Sequence, residues 1–411
     1  MAPEPNPMVG KRIVIALGGL RLGGAERQAL HLAHHLQAIG ADVRVLGMGE
    51  PGRVPDLCDA AGIPWRSLPG FCEAWRQRRR GLRRVVDWGR AGVAASENAI
   101  ALVRYAWELR QERPDIILAY TIRPNVACAL TWRIAGVRAC VWGQRDEGRL
   151  YFGARTERWA MRRATAFVAN AQVGADYLIK RCGVTPQQVC VIHNGVCLDP
   201  PVESAAAWRE RLGIQPERFV ACMVANLHES KDHATLLHAW RIACQRTTEG
   251  ALPPMLLLAG AFRGTETALK ALAFDLGLGE TVRFLGPVED IAGLLSAVDL
   301  GVLSSRSEGL PNAVLECMAA GLPVVATDIP GVREALGNEA VEHLAPTGDA
   351  EALAERVLAL IGSPVLRETV GAANRLRVER AFTLERMCTE MTEVMVSLLT
   401  KDRRAERDDG R

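Results

Sequence analysis

The strand-forming runs of this chain are apolar at consecutive positions, not at alternate ones. Residues 12–17, 42–47, 115–119, 139–142, 166–169 and 189–192 in the first half, and 219–224, 255–259, 282–285, 300–303 and 323–326 in the second, are rich in Val, Ile, Leu and Ala. A strand with one wet face alternates, whereas a strand covered on both faces does not. Helical patterns separate the runs, as at 25–39, 235–244 and 313–320. Strand–helix alternation with doubly covered strands predicts α/β architecture with parallel sheets of βαβ units. The alternation weakens at Leu198-Asp199-Pro200-Pro201, which reads as a linker. The expected plan is therefore two doubly wound, Rossmann-like domains facing across a cleft, 1–198 and 199–380. A tail, 381–411, would hold an amphipathic helix packing back toward the N-terminal domain and a charged end. Ligands in such sheets sit beyond the carboxyl ends of the strands.

Composition removes several classes. With 411 residues, 49% hydrophobic and 24% charged, the chain is neither disordered nor fibrous. No run of 18 apolar residues suggests a membrane span, and the run 13–17 is too short for a secretory signal core. Eleven scattered cysteines without a Cys-x-x-Cys pair point to a reducing compartment, the cytoplasm. The net charge of +3 conceals an asymmetry of +11 over residues 1–200 and −8 over 201–411, as expected for two domains with different partners.

Three segments can carry chemistry. Gly23-Gly24-Ala25-Glu26-Arg27 opens a helix after the first strand, where bare backbone N–H groups and the helix dipole suit a phosphate. An ordinary glycine turn fits the same residues. The G-x-G-x-x-G fingerprint is absent, so no nicotinamide cofactor is implied. Glu308-Gly309-Leu310-Pro311-Asn312, continuing to Glu316, follows the run 300–303 and opens a helix with Pro311 in its first turn. Two carboxylates at this spacing can enter one pocket from different heights and take sugar hydroxyls, while Gly309 and its neighbours form an anion-binding concavity. A solvated loop glutamate followed by a helical one would have the same spacing. Lys231 lies between a strand end and a helix, where it can reach a phosphate as a point charge. Residues 288–291 stand where a nucleotide base could be chosen.

These pieces occur in one order: Gly-Gly-Ala-Glu at 23–26, His193-Asn194-Gly195-Val196, Lys231-Asp232-His233, then Glu308-x7-Glu316. In this the chain resembles the family 4 retaining glycosyltransferases, which have the GT-B fold. The resemblance implies a nucleotide-sugar donor, such as a UDP- or GDP-sugar, in the C-terminal domain. Glu316 would take the ribose, Glu308 a donor-sugar hydroxyl and Lys231 the diphosphate. The backbone of Gly309, Leu310, Pro311 and Asn312 would cradle the sugar and diphosphate. Gly23, Gly24 and Arg27 would form a phosphate or acceptor loop. Two positions depart from the family pattern. Asn226 replaces a usual arginine of the donor site, and Gln144-Arg145-Asp146 stands where many members have a histidine. Arg145 could restore the charge, and Asp146 could orient an acceptor hydroxyl. No Asp-x-Asp signature accompanies the site, so the expected transfer is metal-independent and needs no cofactor beyond the donor. The acceptor would be a glycan or a lipid-linked sugar, in bacterial surface polysaccharide synthesis. Alternatives are another GT-B enzyme, such as a sugar-nucleotide epimerase, and a silent sugar-nucleotide-binding partner of a glycan assembly complex.

Residues 71–92 hold seven arginines among two tryptophans. Trp75, Arg78, Arg79, Arg80, Arg83 and Arg84 would suit an anionic membrane surface at the inner face of the cytoplasmic membrane. A solvated arginine-rich segment fits too. No nucleic-acid-binding motif accompanies the charge.

Overall fold

The computed structural model describes residues 6–68, 88–148, 154–247 and 252–408. The chain divides into two compact units, residues 1–193 with 385–411, and residues 194–384. Each is built on one parallel sheet.

The first unit contains β1 (Arg12–Leu17), β2 (Asp42–Gly47), β3 (Trp65–Ser67), β4 (Ile116–Tyr120), β5 (Ala139–Gln144), β6 (Ala166–Ala169) and β7 (Val189–Val191), in the order β3-β2-β1-β4-β5-β6-β7. The second contains β8 (Val220–Val224), β9 (Met255–Ala259), β10 (Val282–Gly286), β11 (Leu300–Leu303), β12 (Val324–Thr327) and β13 (Leu344–Ala345), in the order β10-β9-β8-β11-β12-β13. Both sheets start at an inner strand, grow outward for two strands, and then return to the other side of the first. This reversal leaves a switch point between β1 and β4 and another between β8 and β11, where crossover connections diverge and a crevice opens at the strand ends.

The consecutive apolar runs are the buried strands. All residues of β4, β5, β6, β9, β11 and β12 are buried. The two strands that no apolar run announced, β3 and β13, are three and two residues long and lie at sheet edges. β3 is partly exposed and so needs no apolar run, whereas β13 is buried but too short to form one, and short edges limit unwanted pairing. A 25-residue helix, Trp88–Glu112, was also not foreseen, and it takes in the end of the basic segment. The final helix, Leu384–Asp408, belongs to the first unit from residue 385 onward. It buries Met387, Met391, Met395 and Leu399 and brings the Cys388 Sγ within 4.0 Å of the His31 carbonyl. Among the described residues, no helix is long and apolar enough to cross a membrane.

Candidate functional site

The second unit gathers its polar side chains at the β8/β11 switch point. After β8 the chain makes a short turn, Glu229–Lys231, and then places Asp232 in the left-handed region at φ 48°. After β11 it runs through Ser304, Ser305 and Arg306 to Glu308. The two loops are bonded to each other. Ser304 Oγ donates to the Lys231 carbonyl at 2.9 Å, and the Arg306 amide donates to the Ser230 carbonyl at 2.9 Å. Arg306 also grips the Asp232 carboxylate with Nε at 2.9 Å and Nη2 at 3.2 Å. Asp232 is only 4% exposed. Burial pushes its carboxyl up, but the Arg306 guanidinium and the Thr235 hydroxyl outweigh this and hold it below the usual carboxylate range. Within that frame Lys231 Nζ donates to Glu308 Oε1, and the Ser305 hydroxyl donates to the same oxygen at 2.7 Å. The lysine and the glutamate, 77 residues apart in sequence, therefore form one ion pair at the mouth of the crevice.

Glycine governs the next four residues. A Cβ on Gly331, at the start of the helix Pro330–Leu336, would stand 1.5 Å from the Gly309 carbonyl oxygen. Only a bare backbone allows that helix to support the loop from below. From another direction the buried Asn194 donates through Nδ2 to the Leu310 carbonyl at 3.2 Å and to Asn312 Oδ1 at 2.7 Å. The helix Asn312–Ala319 follows, with Pro311 as its cap residue rather than in the first turn, and no side chain caps it. Such an N-terminus can receive an anion. Glu316 sits one turn in and is half-buried. Asn226 does not join this group through its oxygen. Its Oδ1 accepts from the Ala261 amide at 3.1 Å and so ties the loop after β8 to the loop after β9.

Asp290, in the stretch expected to choose a base, has a structural task. It accepts from Val202 N, Glu203 N, Trp208 Nε1 and Gly293 N, all at 2.9 to 3.1 Å. Burial pushes the carboxyl up, yet the Trp208 indole and the backbone N–H groups hold it at about 2. It caps the helix Ile291–Ser296 and anchors the linker, so its carboxylate is already saturated.

In the first unit the loop after β1 is fixed by Leu20, which is fully buried over Gly47, where a Cβ would come within 2.3 Å of the Leu20 side chain. Gly23 caps the helix Gly24–Ala38 in extended conformation, without a side-chain cap, and the Arg27 amide makes the first helical bond to its carbonyl at 3.0 Å. At the β1/β4 switch point lies a cavity of about 260 Å³ lined by Ala25, Thr121, Asn125, Arg145, Asp146 and Tyr177, among others. Asn125 is buried and pairs with the backbone of Gly143 in both directions, at 2.8 and 3.0 Å, which fixes the end of β5. Thr121 stands at φ 70°, ψ 163°, a region almost reserved for glycine. A β-branched residue held there stores about 1–3 kcal/mol of strain, a feature that clusters at working sites. Arg145 lies over the Tyr120 ring at 4.2 Å. Burial pushes its guanidinium down, and the Tyr120 hydroxyl partly offsets that. Asp146 is held by Gln144 Nε2 at 2.6 Å and by the Gly148 amide at 2.9 Å, both on Oδ1.

The structure thus collects Lys231, Glu308, Gly309, Leu310, Pro311 and Asn312 in the second unit, with Glu316 on the adjoining helix. Arg145 and Asp146 belong to the first unit, as do Gly23, Gly24 and Arg27. Trp75, Arg78, Arg79, Arg80, Arg83 and Arg84 lie outside the described residues. Sequence reading missed Ser305, Arg306, Gly331 and Thr121. Asn194 had a signal, the Asn-Gly pair at the domain junction, but no assigned task. Among the described residues, no group of three or more His, Cys, Asp and Glu could hold a metal ion.

Comparison with known proteins adds an independent line. Residues 22–200 match the family model described as glycosyltransferase family 4, and residues 218–363 match the one described as glycosyl transferases group 1. The chain is 30% identical over 371 residues to the phosphatidyl-myo-inositol mannosyltransferase of Mycobacterium leprae, covering 87% of this chain and 89% of that protein. It is 28% identical over 417 residues to the D-inositol 3-phosphate glycosyltransferase of Streptomyces scabiei, covering 93% and 88%. Among solved structures it is similar to Anabaena HepE in complex with UDP and glucose, with a TM-score of 0.78 at 21% identity over 94% of this chain and 100% of that one. The sucrose-phosphate synthase of Thermosynechococcus elongatus gives a TM-score of 0.73 at 19% identity, over 95% and 100%. The fold is that of the GT-B class.

Proposed function

Because this chain belongs to the family 4 glycosyltransferases, we propose that it moves a hexose-type sugar from a UDP- or GDP-sugar to a glycan or lipid-linked acceptor, with retention of anomeric configuration and without a metal. The observation that carries this reading is the Lys231–Glu308 pair at the β8/β11 switch point, beside a helix N-terminus that no side chain caps. A nucleoside diphosphate needs cations and amides at its phosphates, and a sugar needs carboxylates at its hydroxyls. In this reading Lys231 and the first amides of the helix Asn312–Ala319 face the diphosphate. Negative charge grows there as the bond to the anomeric carbon breaks, so these groups stabilise the transition state more than the ground state. Glu308 accepts from a donor-sugar hydroxyl and Glu316 from the ribose. Attack comes from the side the diphosphate leaves. The cavity at the first sheet's switch point takes the acceptor, with Asp146 orienting a hydroxyl and Arg145 meeting an anionic group.

The named activities of relatives support an acceptor that carries phosphate, since both act by name on phosphorylated inositols. The arginine-rich segment and a lipid-linked acceptor together support action at the cytoplasmic membrane face, in surface glycan assembly.

The test is thermal stabilisation by UDP-, GDP- and ADP-sugars in the presence of EDTA. One nucleotide series should stabilise the protein, by about 2.7 kcal/mol at 100 times its dissociation constant, and Glu316→Ala should abolish the effect. Stabilisation that requires added divalent metal, or that survives Glu316→Ala unchanged, would refute the site as described.

A further inference from the structure

The helix Trp88–Glu112 has a face that neither the donor nor the acceptor reading uses. Tyr105 and Leu109, 1% and 0% exposed, mark the side turned into the core. On the opposite side Ile100, Val103 and Trp107 are 68%, 70% and 56% exposed. At 3.6 residues per turn these three fall within an arc of roughly 60°. Arg104 flanks the ridge on one side and Arg110 on the other, both exposed. Glu108 and Glu112, the acidic residues among the described side chains of this helix, are buried instead and paired with Arg66 at 2.9 Å and Arg44 at 2.6 Å. Arg110 also reaches the Ile134 carbonyl at 3.5 Å, which sets another exposed aliphatic side chain, at 69%, beside the ridge.

We infer that this face is a docking surface for an anionic lipid bilayer. A helix on a soluble surface normally turns polar residues away from its core. Here the outward face, over the described side chains, is an apolar ridge ending in a tryptophan, with cations on both flanks and with Glu108 and Glu112 withdrawn. That arrangement lets Trp107, Val103 and Ile100 enter the headgroup boundary while Arg104 and Arg110 meet lipid phosphates.

Co-sedimentation with vesicles of phosphatidylcholine, with and without phosphatidylglycerol, decides the matter. The full chain should sediment with the anionic vesicles alone, and less at high salt. The double variant Val103→Gln/Trp107→Gln should lower the partition about tenfold with an unchanged melting temperature, because both side chains are exposed. Arg104→Gln/Arg110→Gln should weaken binding and flatten its salt dependence. Three results would each overturn the inference. One is that the wild type sediments with neither vesicle, and another is that Val103→Gln/Trp107→Gln binds as the wild type does. The third is that the wild type is a dimer that this variant dissociates, which would make the face a protein interface. Lipid binding is read here without donor or turnover, so the outcome is independent of the donor-site reading.

Discussion

Glu308 Oε1 accepts from both Lys231 and Ser305, so one carboxylate oxygen sets the geometry of the whole β8/β11 mouth. Removing the lysine leaves a carboxylate that is 15% exposed, beside the Ser305 hydroxyl. Lys231→Ala should therefore cost about 1–3 kcal/mol of stability, read from the urea midpoint. It should also lower kcat/KM by roughly 10²–10³, the scale seen when one transition-state donor is lost. A variant that loses stability but keeps kcat/KM would confine Lys231 to a structural part. Lys231, Glu308 and Glu316 were singled out in the sequence by their places near strand–helix junctions and by the family resemblance, and the fold brings Lys231 and Glu308 together. Arg306 was not legible among 45 arginines. Its distinction is the buried carboxylate of Asp232, 74 residues away, which only folding brings within reach.

At the scale of elements, the donor-side loop is held by close approach on one side and by hydrogen bonds on the other. Gly331→Ala would force the helix Pro330–Leu336 away from the Gly309 carbonyl, since the nearest atoms are backbone and cannot swing aside. Overpacking of this kind costs about 1–3 kcal/mol. Asn194→Ala would release the Leu310 carbonyl and the Asn312 side chain. Both variants should raise the donor KM more than the acceptor KM. The comparison is Asn374→Ala, which breaks a similar buried bond to the Leu322 carbonyl, away from the loop, and should lower stability alone. Equal donor KM values for all three would dissociate the loop from donor binding. The central strands could be read from sequence for a simple reason: burial on both faces demands apolar side chains at every position. The edge strands β3 and β13 escaped because three and two residues are too short to stand out as runs, and β3 is also partly exposed.

For the whole molecule, acid is the informative stress. His233 is 2% exposed, and neither ring nitrogen has a hydrogen-bond partner among the described groups. Burial, followed by the Lys231 charge, pushes the imidazole down to about 4, while Asp232 pulls the other way. The unfolded chain binds that proton near pH 6.5, so between pH 6.5 and 4 the unfolded state carries more protons and stability is lost as the pH is lowered. His233→Leu should remove about 2 kcal/mol of this loss between pH 7 and 4.5, measured as the difference in urea unfolding between variant and wild type. Parallel pH profiles for the two proteins would mean that the ring titrates alike when folded and unfolded. Asp290, held at about 2, contributes in the next window, where its share is lost as pH falls from about 4 toward 2.

The sequence by itself determined the α/β class, the two parallel sheets and the opposite charge of the two halves, because these depend on local composition and period, while the family came from the resemblance of its ordered motifs. The tertiary structure alone decided which side chains act together. Lys231 meets Glu308, and Arg306 meets Asp232, only because β11 returns to the other side of β8. Thr121 takes its strained backbone at the matching reversal of the first sheet, and Asn194 reaches a loop 116 residues away. Glu108 and Glu112 of the helix Trp88–Glu112 turn inward because Arg66 and Arg44, from neighbouring strands, wait there. Sequence spacing encodes periodicity along one element, whereas strand order and the partners of buried polar groups are set by contacts between elements far apart in the chain.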